Sequence, residues 1–289
     1  MARGLDHIVH AVRDLDAAAD LYRRAGFTVG ARNRHPPAWG TQNHIVQLPG
    51  TFIELLAMED TSAIAEHGPR AFSFGAFNRD FLARGEGLSM LVLEGRGGAD
   101  AEEFRAAGIG DFDLFKFQRE AKRPDGTPVK VAFALAFASD SRTPDVGFFT
   151  CLHRHPENFW NPAFQVHANT AAGVAGVVLV ADAPADHRAF LVAFAGQSDV
   201  QADSASIALK TPRGEIAAMT PSTFREYFST MPPDSSRGLR LAAIRVAVRD
   251  MAIAKRQFEQ AHLRARGSDS RLVVGPEAAM GATLVFEGI

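Results

Sequence analysis

Strict alternation of apolar and polar positions marks strands, and apolar residues three and four apart mark helices. Both signatures recur along this chain in a fixed order. Leu5 to Val12 reads as a strand, Asp14 caps a helix whose inward face carries Tyr22 and Ala25, and Gly26 ends that helix before an extended run from Phe27 to Asn33. Asn43 to Leu48 and Phe52 to Met58 read as two further strands joined by a hairpin at Pro49-Gly50. The same order returns near the other end in Leu239 to Val248, Asp250 and Phe258, where Val12-Arg13-Asp14 recurs unchanged as Val248-Arg249-Asp250. Asp182 and Phe190 repeat the spacing of Asp14 and Tyr22 after the apolar strand Val174 to Val180. Phe104, Ala107, Gly108 and Ile109 match Tyr22, Ala25, Gly26 and Phe27. Four units follow, opening near Gly4, Gly87, Gly173 and Gly238.

In the second unit the extended runs are Phe112 to Glu120, Val129 to Ala138 and Gly147 to His153, separated by Pro124-Asp125-Gly126 and by Ser139 to Asp145. Tandem βαβββ units taken in pairs predict an α+β fold in which strands curl into cups with helices outside. Arg154 to Asn169 carries two prolines, Trp160 and two histidines without any period, and reads as a connection. The expected domains are therefore residues 1–166 and 167–289, each a pair of units, with the second pair shorter.

Hydrophobic residues at 46% and charged residues at 22% suit a globular chain and disfavour disorder or a coiled coil. A net charge of -2 gives no field to gather nucleic acid or anionic lipid. The apolar run Ala171 to Ala181 is too short to span a bilayer. With one cysteine, Cys151, and no apolar leader, a cytoplasmic protein is expected. The 22 phenylalanines against 2 tyrosines assign most aromatic bulk to packing. Trp39 and Trp160 lie in proline-containing loops, where they either anchor the loop or stack on a planar substrate. No glycine-rich phosphate loop, Gly-x-Ser-x-Gly elbow or Cys-x-x-Cys pair is present.

The opening Leu5-Asp6-His7-Ile8-Val9-His10-Ala11-Val12-Arg13-Asp14, with Tyr22, Gly26-Phe27 and later Phe52-Ile53-Glu54-Leu55-Leu56, resembles the first module of the vicinal oxygen chelate superfamily, and specifically its glyoxalase-like proteins. That superfamily includes glyoxalase I, extradiol dioxygenases, fosfomycin-resistance proteins and methylmalonyl-CoA epimerase. The resemblance implies a divalent metal (zinc, nickel, manganese or iron) in the cup, with His7 and Glu54 as ligands from the first module. Neutral imidazole plus carboxylate with open positions makes a metal a Lewis acid for vicinal oxygens of a substrate. The second module departs from the pattern, with Met90 aligned to the second histidine and Cys151 to the second glutamate. Cys151, His153 and His155 alternate and so share a face. Cys151 would then replace the missing acid, and His153 would act as a ligand or as a base beside the ion.

The expected site thus holds metal ligands His7, Glu54 and Cys151, proton-moving groups Glu54 and His153, and pocket walls Trp39, Met90 and Trp160. The plainer alternatives are a hydrogen-bonded core histidine at His7 and an inert small hydrophobe at Cys151. His10, an odd number of positions from His7, should face the other way and be structural. In the C-terminal pair, Gly176 and Ala243 stand at the His7 position, the third-unit match to Glu54 falls among Ile216 to Ala218, and only Glu287 echoes the glutamate strand. That half is expected to complete the fold, a dimer contact or a pocket wall. Three functions fit a small-molecule substrate: a glyoxalase-like metal-dependent lyase or isomerase acting beside a polarised carbonyl or vicinal oxygens, an extradiol-type ring-cleaving dioxygenase on iron, and a metal-free binding or resistance protein.

Overall fold

A computed structural model describes residues 1–122 and 126–289 of the chain. The first half runs β1 (Leu5–Ala11), α1 (Leu15–Arg24), β2 (Asn33–Arg34), β3 (Thr41–Leu48), β4 (Thr51–Met58), α2 (Phe74–Arg84), β5 (Gly87–Glu94), α3 (Gly98–Ala106), β6 (Phe115–Lys122), β7 (Pro128–Ala138) and β8 (Gly147–His153). Its strands make one curled eight-stranded sheet in the order β2-β3-β4-β1-β5-β8-β7-β6. The second half repeats the plan with β9 (Ala171–Val180), α4 (Arg188–Ala195), β10 (Val200–Ala202), β11 (Ser206–Lys210), β12 (Glu215–Met219), α5 (Pro221–Phe228), β13 (Arg240–Val248), α6 (Met251–Gln260), β14 (Arg266–Ser268), β15 (Arg271–Val274) and β16 (Thr283–Gly288). Its order, β10-β11-β12-β9-β13-β16-β15-β14, is the same pattern. This is the α+β architecture of tandem βαβββ modules paired into two cups.

Local chemistry sets most boundaries. Asp14 and Asp250 accept from Ala17 N and Ile253 N and so cap α1 and α6, and Gly26 leaves α1 at φ 85°, where a side chain would be strained. Asp182 does not cap a helix. It accepts from Ser235 Oγ, and α4 begins only after a tight turn opened by Pro184. Phe27 to Arg32 is not a strand: Thr28 bonds to His167 and Val166 of the connection, Gly30 N donates to Ile45 O of β3, and the ladder begins at Asn33–Arg34. The turn residues Pro124 and Asp125 lie outside the described residues.

Period two divides the sheet faces. Along β1, Ile8 and His10 face a core shared by both sheets, whereas Val9 and Ala11 face the concave side with His7. The shared core joins Ile8, Leu55 and Leu91 of one sheet to Val177, Leu179 and Ile244 of the other. Tyr22, Phe104, Phe194 and Phe258, from α1, α3, α4 and α6, pack into it.

Candidate functional site in the N-terminal cup

The site begins with a fault in the β1 ladder. Pairing to β5 shifts register between Leu5 and His7, so Asp6 is an extra residue and does not follow the strict alternation. Its carboxylate is buried, 2.5 Å from His7 Nδ1 and 3.0 Å from His153 Nε2. Burial alone would raise the Asp6 carboxyl, but the charges and hydrogen bonds of His153 and His7 outweigh it and hold its pKa at about 2. Asp6 is therefore an acceptor, which puts a proton of His7 on Nδ1, so that in the neutral ring the lone pair is on Nε2. The His7 ring is held by stacking on Phe52 at 4.2 Å and by the edge of Phe149 at 5.5 Å.

His7 Nε2 lies 3.9 Å from Glu54 Oε2, too far for a hydrogen bond. Two ligands each about 2.0–2.2 Å from a common ion span separations of that order. The other carboxylate oxygen, Oε1, accepts from Asn43 Nδ2 at 2.5 Å and lies 3.6 Å from His35 Nε2. His35 is kept toward its neutral form chiefly by burial. Cys151 lines the same cavity, and burial, followed by the charges of Asp6 and Glu54, pushes its thiol well above the usual range. Without a cation beside it, Cys151 stays a neutral thiol. The cavity that His7, Glu54 and Cys151 line offers about 70 Å³, room for a few waters or one small ligand group. Its walls are aromatic, with Trp39, Phe74 and Phe117 prominent.

His7, Glu54, Cys151 and Trp39 are thus brought together. His153 is not on the cavity wall: it packs against Phe52 and Phe133 and hydrogen-bonds to Asp6, its Nδ1 buried without a partner among the described residues. Trp160 stacks on His153 at 5.6 Å and lines an outer groove with Phe159 and Gln47 instead of the cup. Met90 is fully buried, packed against Gly147 and accepting from Asn78 Nδ2 at 3.8 Å, and forms no part of the wall. The strand pairing also moves the module match by two residues. Val92 lies opposite Phe149 with Cys151 two positions on, as His7 lies opposite Phe52 with Glu54 two positions on, so Val92, not Met90, stands where a second histidine would be. Neither residue offers a ligand suited to a hard cation.

Asp6 and His153 add a second grouping, because the donor atoms of Asp6, Cys151 and His153 all lie within 4.8 Å of one another. Asp6, His35 and Asn43 were not legible as site residues. Period two sends Asp6 away from His7, and only the bulge brings it back. Asn43 was within reach of inference, since the hairpin at Pro49-Gly50 sets it diagonally across from Glu54.

The C-terminal cup is filled. Arg245 bonds to Glu215 at 2.7 Å and to Glu287 at 2.9 Å, while Phe224 and Phe228 of α5 pack on the apolar remainder. Glu287 also lies two residues beyond the true counterpart of Glu54, because Ala243 pairs with Thr283 and Val285 follows it by two.

A family model described as a glyoxalase-like domain matches residues 5–194. The chain belongs to this glyoxalase-like domain family, within the vicinal oxygen chelate superfamily. Among solved structures, a hypothetical protein from Staphylococcus aureus is similar over the whole of both chains, with 12% identity and a TM-score of 0.67. A mutant of 4-hydroxymandelate synthase from Streptomyces coelicolor is similar over 99% of this chain and 92% of that one, with 9% identity and a TM-score of 0.58. A xylose isomerase-like TIM barrel/4-hydroxyphenylpyruvate dioxygenase fusion protein matches all of this chain with 49% of its own, at 12% identity and a TM-score of 0.53. At such identities the likeness is one of fold. A search of curated proteins returns no match. No helix among the described residues is long and apolar enough to cross a membrane.

Proposed function

We propose that the protein is a glyoxalase-like lyase or isomerase acting on a small molecule with a polarised carbonyl or vicinal oxygens, and that a divalent ion is held by His7 Nε2 and Glu54 Oε2 with Cys151 beside them. The observation that carries this reading is the Asp6–His7 bond, which fixes the tautomer and aims a free imidazole nitrogen at a carboxylate oxygen 3.9 Å away. A carboxylate behind a ligating imidazole is the usual way such a ring is oriented and made more basic. The donor set suits an intermediate cation such as zinc, since Cys151 loses its proton on binding a soft ion. The ion would polarise the substrate's oxygens. The chain's own part is to exclude water with Trp39, Phe74 and Phe149, and to hold Glu54 Oε1 with Asn43 so that Glu54 would take a proton beside the polarised carbonyl on giving up its bond to the ion. His153 acts through Asp6, as a positioning residue.

Elemental analysis of the purified protein tests this. Zinc, nickel or manganese near one equivalent is expected, and His7→Ala should remove most of it with the fold intact. Asp6→Asn should weaken binding by about 10- to 100-fold, the usual effect of losing a residue that orients a ligand. Iron would favour the extradiol-type reading. Protein that purifies without metal and gains no thermal stability from any divalent ion would leave the metal-free binding protein, a reading that Val92 at the second histidine position supports.

A further inference from the structure

Among the described residues, the buried and half-buried arginines have anions. Arg3 is bonded to Asp100 at 2.8 Å, and Arg245 sits between Glu215 and Glu287. Arg119 is the exception. It is half-buried on β6, and burial lowers its pKa with no carboxylate opposing the shift. Among the described residues it makes neither an ion pair nor a side-chain hydrogen bond. Removing a permanent cation from water without pairing it is costly, so its position needs a compensating partner.

Its place in the sheet says where that partner lies. Phe115, Phe117 and Arg119 alternate along β6, opposite Leu135, Phe133 and Val131 of β7, and Leu135 and Phe133 in turn face Cys151 and His153 of β8. Arg119 therefore stands at the rim of the wall whose floor carries Cys151, and it lines both the inner cavity and the outer groove. The wall between rim and floor is apolar and aromatic, with Phe117 parallel to Phe133 at 6.1 Å and Trp39 5.3 Å from Phe117.

We propose that Arg119 docks the carboxylate of the substrate, and that the substrate class is a small monocarboxylic acid with an apolar, ring-sized body between that carboxylate and the oxygen function at His7 and Glu54. A planar guanidinium presents two parallel N–H donors that match a carboxylate. Glu157 borders the outer groove that Arg119 lines, so a phosphate dianion meets repulsion there that a monoanion feels less. The reacting end of this assignment rests on the metal reading above, whereas docking at Arg119 does not.

The test compares phenylacetate, 3-phenylpropionate and 4-phenylbutyrate with their amides and with phenyl phosphate. Binding is followed by calorimetry and by tryptophan fluorescence, to which Trp39 in the wall contributes. With wild-type protein the best acid should bind about 10- to 100-fold more tightly than its amide, the range for a hydrogen-bonded charge pair. Arg119→Gln should abolish that preference, while Arg119→Lys should keep part of it. The preference should survive in metal-free protein. That result stands even if no metal is ever found, so failure of the metal reading and failure of this one are separable. Equal binding of acid and amide, a preference that persists in Arg119→Gln, or no binding of any acid would overturn the assignment. A preference lost on metal removal but kept in Arg119→Gln would place the carboxylate on the ion, and tighter binding of phenyl phosphate that depends on Arg119 would replace carboxylate by phosphate. Both outcomes overturn it.

Discussion

At the scale of single residues, the site depends on which way each side chain of β1 is turned. His7 and His10 are three apart and face opposite sides, so one belongs to the cup and the other to the core between the sheets. His10 Nε2 donates to Met280 O, and His10 Nδ1 is hydrogen-bonded to Tyr22 Oη, each at 3.1 Å, an arrangement that the neutral ring satisfies with Tyr22 donating. Burial lowers its pKa from 6.5 to about 4, against smaller opposing effects of Met280 O and Glu86. Between those values the unfolded chain binds a proton that the fold refuses, so stability is full above about pH 6.5 and falls toward pH 4. The loss expected from this group is about 3 kcal/mol across that window. Urea unfolding at a series of pH values should show that slope, and His10→Gln should flatten it; an unchanged slope in the variant would assign the acid sensitivity elsewhere. The separation of His7 from His10 was legible in the sequence because period two is a property of any strand. Asp6 was not, because a bulge is set by how the neighbouring strand pairs and leaves no mark in the local pattern.

Among the elements, β8 falls at Gly147–His153, where the pattern puts it, and α1 and α6 follow from their aspartate caps. The helices α2 and α5, which join the modules, were hidden for a physical reason. α2 buries Phe74, Gly75, Ala76, Asn78, Phe81 and Leu82; the polar Asn78 and small Gly75 interrupt its buried face, and Ala76 lies off it, so the apolar stripe is blurred. The packing of α2 has a consequence for the site. Gly75 lies against the Trp39 backbone so closely that a methyl group there collides with the Trp39 carbonyl. Gly75→Ala should cost about 1–3 kcal/mol by overpacking and should displace Trp39 from the cavity wall. Thermal denaturation and a changed fluorescence maximum would report the two effects together. A variant with native stability and native fluorescence would show that α2 does not position the tryptophan.

For the whole molecule, the repeated modules made the two-cup plan readable, but not the way the cups use it. One cup keeps an open, aromatic cavity over His7 and Glu54; the other closes over Arg245 and its two glutamates. We place the division between the halves near residues 166 and 167, as a proposal about topology and not about independent folding. The core joins both sheets, Asn169 bonds back to Ala25 O at 2.7 Å, and Arg3 holds Ala193 and Phe194 carbonyls from the far half. Calorimetry of the full chain should therefore give one cooperative transition, and residues 167–289 expressed alone should not fold. Two resolved transitions would contradict this coupling. The central claim is that the N-terminal cup alone is a metal centre, built on His7 and Glu54. Anomalous diffraction from crystals grown with zinc or manganese tests it most directly. The account predicts one strong peak per chain, within ligand distance of His7 Nε2 and Glu54 Oε2. A peak held instead by Asp6 and His153, a peak in the C-terminal cup, or no peak at all would contradict it.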